Sequence, residues 1–297
     1  FDRLGLLFYD NTTEIFPDYG AARFLNIDTK NGGGYLPENN TYAKQTVAHN
    51  ALVVDQTSHF NGKVGPADKT SPTLLHFSNQ PNLKVVSAKE AKAYADVTMI
   101  RTSALVKVEG LEKPLLIDVM LAQSPKNHQY DLPFWYKGQL VNTSFPVVAK
   151  ANQLSALGDN NGYQHLWLNA SNKIEGKTGL VSLLNKNRFY TTHFASDNPL
   201  EVKLISIGAN DPEMNLVDGK AFMLSSKGQN QTFVSITETH GGTDPINETV
   251  ASAQPSISEL KLIKSDAQQT AFSFKLNGKT YTYQINYNDK QNYINFK

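Results

Sequence analysis

The sequence predicts an all-β protein, a large multi-stranded antiparallel β-sandwich. Short runs rich in Val, Ile, Leu, Phe, Tyr and Thr recur from end to end, and clusters of Gly, Pro, Asn and Asp separate them. No βαβ spacing appears, and strands that follow one another without helices pair as antiparallel sheets packed face to face. The 297 residues are 40% hydrophobic, which suffices for one large domain or two ordinary ones.

The strand pattern is clearest in the last of these runs, where Tyr281, Tyr283, Ile285 and Tyr287 alternate with polar residues and share one face. Asn277-Gly278, just before it, favours a two-residue hairpin turn. The predicted strands include, in chain order, Gln45–Asp55, Val97–Val108, Pro114–Ala122, Leu200–Ile207, Thr232–Thr237 and Lys279–Tyr287.

Two stretches depart from this pattern. Val85–Ala95 is predicted to form a short helix, and the polar stretch Asn142–Tyr163 has the composition of a loop. We therefore predict one β region over residues 1–297 with a subdivision near residues 142–163.

Composition excludes several function classes. With 28 basic and 27 acidic residues the formal net charge is +1, so the broad positive field of a nucleic-acid or membrane-surface binder is missing. No apolar run approaches the roughly 18 residues of a membrane-spanning helix. The lack of cysteine excludes disulfides, thiolate zinc sites and cysteine nucleophiles.

The densest polar cluster lies in the first fifth of the chain. Gly32–Gly34 precede Tyr35, which suggests a mobile loop that carries a large amphipathic side chain and closes over a ligand. The alternative is a surface hairpin with the tyrosine packed on its own backbone. Arg23, in a strand-like segment, could pair with a carboxylate ligand or with an internal Asp or Glu.

His49 lies between apolar residues in a predicted strand. It is either a hydrogen-bonded histidine of the core or edge, or a metal ligand whose second nitrogen is oriented by an acceptor. Asp18 could supply an oxygen ligand. One His and one Asp do not complete a tetrahedral zinc site, so a third donor would have to be His59, His76 or a residue outside this chain.

Aromatic residues offer a weaker signal. Trp135, Tyr136 and Trp167 could stack on sugar rings, although in a sandwich of this size such residues more often fill the core. The sequence contains no nucleophile elbow, P-loop or dinucleotide-binding fingerprint.

Several long phrases resemble a known family. PDYGAARFLNI, KNGGGYLPENNTYAKQTVAHNALVVD and SHFNG, followed by NHQYDLPFWYKGQ, NGYQHLW and LISIGANDPEMNL, are similar to the C-terminal β region of the oligoalginate lyases. These enzymes form polysaccharide lyase family 17, within the wider heparinase II/III-like group. The resemblance extends from Phe1 to about Thr239.

The resemblance implies a two-part enzyme. An N-terminal (α/α) toroid, absent from this chain, would supply most of the catalytic groups and pack against the β-sandwich. It also implies a structural zinc bound by His, Asp and His. Asp18 and His49 match the second and third ligands, and the first is expected just before Phe1. Arg23 and Tyr35 match residues that face the bound uronate, so Arg23 is expected to bind substrate and Tyr35 to bind substrate and take part in catalysis.

The expected function is cleavage of mannuronate-containing alginate oligosaccharides by β-elimination, acting from a chain end. The abrupt start suggests the downstream part of a longer polypeptide, so the fragment alone is expected to be inactive. The chemistry itself requires no metal. The alternatives are a lyase for heparin-type glycosaminoglycans and a non-catalytic carbohydrate-binding module. A periplasmic or secreted location and a homodimer are further expectations, and a chain without cysteine also suits the cytosol.

Overall fold

The computed structural model describes residues 1–22, 35–150 and 152–297. Strands predominate in these ranges and their pairings are antiparallel, which confirms the predicted all-β class. The strands are β1 (Phe8–Asp10), β2 (Thr13–Phe16), β3 (Val53–Val54), β4 (Thr73–Asn79), β5 (Leu83–Glu90), β6 (Thr98–Val106), β7 (Leu115–Tyr136), β8 (Gln139–Thr143), β9 (Val148–Ala149), β10 (Leu166–Ile174), β11 (Thr178–Asn185), β12 (Arg188–Ser196), β13 (Leu200–Ile207), β14 (Lys220–His240), β15 (Gly242–Asp244), β16 (Thr249–Ala251), β17 (Ile257–Ser265), β18 (Gln269–Leu276), β19 (Lys279–Asn286) and β20 (Ile294–Phe296).

Helical structure in the described residues consists of short segments. They are the α-helix α1 (Val64–Asp68), a π-helical turn at Asn39–Ala43 and 3-10 turns at Thr46–Ala48, His59–Gly62 and Tyr163–His165.

A 12-stranded sheet forms the body of the protein. Its centre is the pair of β7 and β14, which are 22 and 21 residues long and run side by side along most of their length. The first half of β14 also pairs with β13 and its second half with β12. In the same way β7 pairs with β6 in its first half and with β3 near Asp131. The strands β7 and β14 therefore run through both ends of the sheet and pair with different neighbours at each end.

The C-terminal strands β17–β20 form a second, four-stranded sheet. Asn277 and Gly278 have φ angles of +49° and +82° and connect β18 to β19, which confirms the predicted hairpin turn. The four alternating residues of β19 and its end are all buried, as predicted: Tyr281, Tyr283, Ile285 and Tyr287. They pack, with Val119 of the large sheet among their neighbours, in one core between the two sheets, so the sandwich is confirmed.

Two further cores lie along the large sheet. One packs β1 and β2 and the segment before them against the sheet, around Phe16, Phe134 and Phe222. The other, which we call the site core, joins the sheet to the segment that carries His49 and consists of Ala22, Leu36, Tyr42, Val47, Ala48, Val53, Trp135, Tyr163, Leu166, Ile205, Ile207, Leu216, Ala221 and Met223.

Two local predictions are wrong. The predicted helix at Val85–Ala95 overlaps strand β5, because pairing with β4 and β6 outweighs the local sequence preference. The predicted strand Gln45–Asp55 forms a 3-10 turn, a loop and the two-residue strand β3. The apolar residues there are buried. Val53 and Val54 pair with β7, while Val47 and Ala48 pack on the sheet from the 3-10 turn. The subdivision near residues 142–163 stays a prediction.

Candidate functional site

Asp18 and His49 meet across 31 residues of sequence. Pro17 follows the end of β2, and Asp18 lies beside it with a side chain that is 37% exposed. His49 follows the 3-10 turn Thr46–Ala48 with extended backbone angles, and its ring is largely buried. The Nδ1 atom of His49 lies 2.5 Å from Oδ1 of Asp18. His49 is therefore a loop residue and not the mid-strand histidine that the sequence suggested.

This contact determines the electrostatics of the pair. The hydrogen bond with His49 is the main reason that the pKa of the Asp18 carboxyl lies below its ordinary value. An ionised carboxylate favours the proton on Nδ1 of the neutral imidazole, which leaves the lone pair on Nε2. Carboxylates commonly orient histidines in this way, both where the histidine binds a metal ion and where it transfers a proton.

The donor types suit a zinc ion, but the set is incomplete in the part of the chain that is described. Two ligand atoms on one tetrahedral zinc lie about 3.3 Å apart, so the Asp18–His49 contact is closer than two first-sphere ligands would be. Among residues 1–22, 35–150 and 152–297, no group of three His, Asp or Glu side chains is placed to hold a metal ion.

His59 and His76, the other candidate ligands, are used elsewhere. His59 is fully buried, accepts a hydrogen bond from the backbone N–H of Arg3 at Nδ1, and contacts the Leu52 carbonyl through Nε2. Burial lowers the pKa of His59 to about 3. His76 stacks on the ring of Tyr293 at 4.6 Å. Neither histidine joins the Asp18–His49 pair.

Tyr35 is exposed at the margin of this region. Its side chain is 73% accessible, while the next residue, Leu36, is buried in the site core. The backbone N–H of Ala22 donates to Oδ1 of Asn39, so the chain on the two sides of residues 23–34 is tied together. Arg23 and the glycines Gly32–Gly34 lie outside the described residues, so the structure does not test their predicted roles.

A cluster of edge-to-face aromatic rings begins at Tyr19, the residue after Asp18. Tyr19 contacts Tyr42 edge to face at 4.8 Å, and Tyr42 in turn contacts the ring of Trp135. The Nε1–H group of Trp135 donates to the Val47 carbonyl. Trp135 and Tyr136 are thus core residues, which agrees with the more common of the two interpretations for them, whereas Trp167 is half-buried.

Sequence reasoning missed the cations beside Asp18. A recess of about 50 Å³ is lined by Asp18 together with Lys137, Lys220 and Asp218. The two lysines come close because Tyr136 and Lys220 are paired at the ends of β7 and β14. The only sequence signal was a lysine at the end of a long apolar run, which is too common to identify a site.

A wider recess lies elsewhere on the sheet. It measures about 750 Å³ and is lined by residues of β10, β13 and β14, including Lys173, Lys203 and Glu201, but by none of the predicted site residues. Lys203 already contacts Ser225 and the buried Asp131. Mixed charges of this kind are typical of a solvated sheet face, so we do not place the functional site there.

None of the helices in the described ranges has the length and apolar character of a membrane-spanning helix.

Comparison with known proteins identifies relatives along nearly the whole chain. It is 38% identical over 292 residues to an exo-oligoalginate lyase of Saccharophagus degradans, which covers 97% of this chain and 40% of that protein. It is 41% identical over 270 residues to an alginate lyase of Stenotrophomonas maltophilia, covering 90% of this chain and 36% of that protein. The chain therefore spans less than half the length of these curated relatives.

Solved structures share the fold. A heparinase III matches with a TM-score of 0.61 at 12% identity, covering 96% of this chain and 36% of that one. A heparan sulfate lyase of Pedobacter heparinus matches with a TM-score of 0.50 at 14% identity, covering 92% of this chain and 35% of that one. The model of the family described as heparinase II/III-like, C-terminal, matches residues 1–238. This chain is therefore a member of the heparinase II/III-like C-terminal family, as the sequence resemblance implied.

Proposed function

We propose that this chain is the β-sandwich part of an alginate lyase of polysaccharide lyase family 17. The enzyme would cleave mannuronate-containing oligosaccharides from a chain end by β-elimination. The observation that carries this proposal is 38–41% identity, over nearly the whole chain, to two relatives that are named for alginate or oligoalginate cleavage. The exposed Tyr35 and the Asp18–His49 pair, held by one buried core, supply a surface on which a substrate could be oriented.

The reaction defines what the site must provide. β-Elimination removes the proton from the carbon next to the uronate carboxylate and expels the glycosidic oxygen. That proton becomes acidic only when the carboxylate charge is neutralised by cations or hydrogen-bond donors. A tyrosine or histidine takes the proton, and an acid returns one to the leaving oxygen. Lys137 and Lys220 line the recess beside Asp18 together with Asp218, so two ammonium groups lie close to this region, balanced by two carboxylates.

Tyr35 and Arg23 of this chain would have different roles in the reaction. The Tyr35 hydroxyl would contact the bound uronate and take part in proton transfer, and the Arg23 guanidinium would bind the uronate carboxylate in two-pronged fashion. An N-terminal (α/α) toroid of the same polypeptide would provide the other catalytic groups. The relatives extend well beyond the matched region, which leaves room for such a domain.

We further propose a structural zinc at the same place. Asp18 and His49 would supply two of its ligands once the carboxylate is released from its present hydrogen bond to Nδ1 of His49, with the third ligand outside the described residues. The ion would hold the β region beside the cleft, and the elimination itself would not need it. A periplasmic or secreted location and a homodimer complete the proposal. Size-exclusion chromatography with light scattering on the full-length protein tests the homodimer.

Activity of the full-length protein tests the proposal directly. We expect rising ultraviolet absorbance from the unsaturated product with alginate oligosaccharides and none with heparan sulfate. Product from heparan sulfate alone would favour the glycosaminoglycan lyase, and binding of oligouronates without any product would favour a non-catalytic module.

Tyr35 can be tested against a matched tyrosine. Tyr35→Phe is expected to lower kcat at least about 100-fold if its hydroxyl transfers a proton. Tyr9→Phe is the control, because Tyr9 is also exposed, at 49%, and its hydroxyl bonds to Glu14 on the β1–β2 hairpin. Equal activity of the two variants would remove Tyr35 from the chemistry.

The zinc proposal has its own control. Metal analysis of the purified full-length protein should find zinc, and Asp18→Asn and His49→Gln should each lose it. The chain contains a second pair of this kind, in which Nδ1 of His128 lies 2.6 Å from Oδ2 of Asp55. His128→Gln should keep its zinc, and loss of zinc in that variant would place the ion elsewhere.

A further inference from the structure

Asn50 makes hydrogen bonds with three separate parts of the chain. Its amide nitrogen donates to the carbonyls of Leu6 (2.9 Å) and Pro17 (2.8 Å). Its side-chain oxygen accepts from the backbone N–H of Trp135 at 2.6 Å. The residue is 2% exposed, so water does not compete for these bonds.

Asn50 and one of its hydrogen-bond partners, Pro17, are adjacent in sequence to His49 and Asp18. Asn50 follows His49 in the chain, and Pro17 precedes Asp18. A single amide therefore links the segment that carries the carboxylate to the segment that carries the imidazole. Through Trp135 it also links both segments to β7, the central strand of the sheet.

A buried ion pair holds the backbone of Asn50 from the sheet. The Arg101 guanidinium donates to the Asn50 carbonyl at 2.5 Å and to the Leu4 carbonyl at 2.7 Å. Its Nε and Nη2 atoms bond to the two oxygens of Asp118 at 2.9 and 2.8 Å. Ser103 donates a further hydrogen bond to that carboxylate.

This arrangement explains why a cation is buried here. Arg101 and Asp118 are both almost fully buried, and each removes the cost of an isolated charge for the other. The Nε–Nη2 edge of the guanidinium faces the carboxylate, which leaves Nη1 to bind the two carbonyls. An apolar pair of equal volume would fill the space but could not fix the direction of those carbonyls.

We propose that Asn50 is the positioning residue for the Asp18–His49 pair. Its side chain sets the distance between the two segments, and the Arg101–Asp118 ion pair anchors its backbone to β6 and β7. The inference rests on the proposed function, in which Asp18 and His49 are zinc ligands. Metal ligands require a fixed geometry, which a positioning residue would supply. It adds residues that touch neither substrate nor metal and act only through the pair.

The test compares zinc affinity and structure in the full-length protein. Asn50→Ala is expected to weaken zinc binding about 10- to 100-fold, the usual effect of losing a group that orients a ligand. Crystal structures should show the Nδ1–Oδ1 separation of the pair changed from that in the wild type. The control is Thr192→Val, which removes a buried hydrogen bond to Thr237 elsewhere in the sheet and should leave both readouts unchanged.

A second variant covers the case in which Asn50→Ala does not fold. Arg101→Lys keeps the positive charge and the Asn50 side chain but loses the fork that binds both Asp118 and the carbonyls, so an intermediate loss of zinc affinity is expected. If the wild type binds no zinc, the metal proposal fails, and the crystal structures still decide the positioning role. An unchanged pair in Asn50→Ala, or wild-type affinity in both variants, would overturn the inference.

Discussion

The carboxylate of Glu238 accepts backbone hydrogen bonds from both Ser256 and Ile257. All of these contacts are 3.0 Å long, and Glu238 is buried at the point where the large sheet meets the C-terminal sheet. Ile257 begins β17, so a side chain of β14 fixes the start of the second sheet. These bonds supply partners for carboxylate oxygens that burial removes from water.

Removal of this acceptor should destabilise the protein. Glu238→Ala leaves the buried N–H of Ile257 and the partly buried N–H of Ser256 without partners, and we expect a loss of about 2–4 kcal/mol in the free energy of unfolding. Urea denaturation followed by circular dichroism measures it. Glu259→Gln, at an exposed position paired with Lys275, is the control and should leave the free energy of unfolding nearly unchanged. Equal effects would contradict the role of Glu238.

Acidification should destabilise the protein through two buried histidines. Burial lowers the pKa of His59 to about 3 and that of His193 to about 4. Because both values lie below the ordinary value of 6.5, the unfolded chain binds more protons, and stability falls as the pH drops from about 6.5 toward 4. Each histidine should lower the free energy of unfolding by about 2 kcal/mol at pH 5 compared with pH 7.

The measurement is urea denaturation at pH 7 and pH 5 for the wild type and for His59→Gln and His193→Gln. Each substitution should reduce the difference between the two pH values, whatever its effect at pH 7. The same slope in all three proteins would show that these histidines do not cause the acid sensitivity.

The hairpin between β18 and β19 depends on a residue without a side chain. Gly278 has a φ angle of +82°, in the left-handed region. Gly278→Ala is therefore expected to cost about 1–2 kcal/mol of stability, although nothing crowds the added methyl group. Gly176→Ala, in the turn between β10 and β11, has similarly open surroundings and no positive φ angle, and should be neutral or stabilising. Thermal unfolding of both variants separates backbone strain from crowding.

The edge strand β4 carries an apolar surface. Phe77 is 68% exposed and is paired with the partly exposed Val86 of β5. Unprotected edges with apolar side chains favour association between chains. Light scattering should show that Phe77→Lys reduces self-association of the 297-residue chain, while Ile246→Lys, at an exposed apolar residue outside strands, should have little effect. Identical scattering from both variants would exclude β4 as the contact.

The sequence predicted the sheets well where burial alternates along a strand. In β19 the period of two is visible because one face packs against the large sheet and the other is more exposed. The prediction from the sequence was wrong for Val85–Ala95, because pairing with the neighbouring strands β4 and β6 determines the structure there. At Gln45–Asp55 an apolar run indicated burial correctly, but it could not show that the segment lies across the sheet.

The candidate site was predicted only in part. The proximity of Asp18 and His49 was implied by the family resemblance, and the structure shows it. Lys137 and Lys220 could not be predicted, because only the register of β7 and β14 brings them together. The contacts of Asn50 depend equally on partners distant in sequence, and an asparagine beside a histidine has no characteristic pattern.

The continuity of β7 and β14 has a consequence for how the molecule melts. One end of this ribbon belongs to the core under the C-terminal sheet and the other to the core under the His49 segment. The two ends are joined through the continuous backbone of both strands, so disorder at one end has to stop inside a single pair of long strands. Heat should therefore disrupt both regions in one cooperative transition. A destabilising substitution in the core under the C-terminal sheet should then also lower the melting temperature of the His49 region.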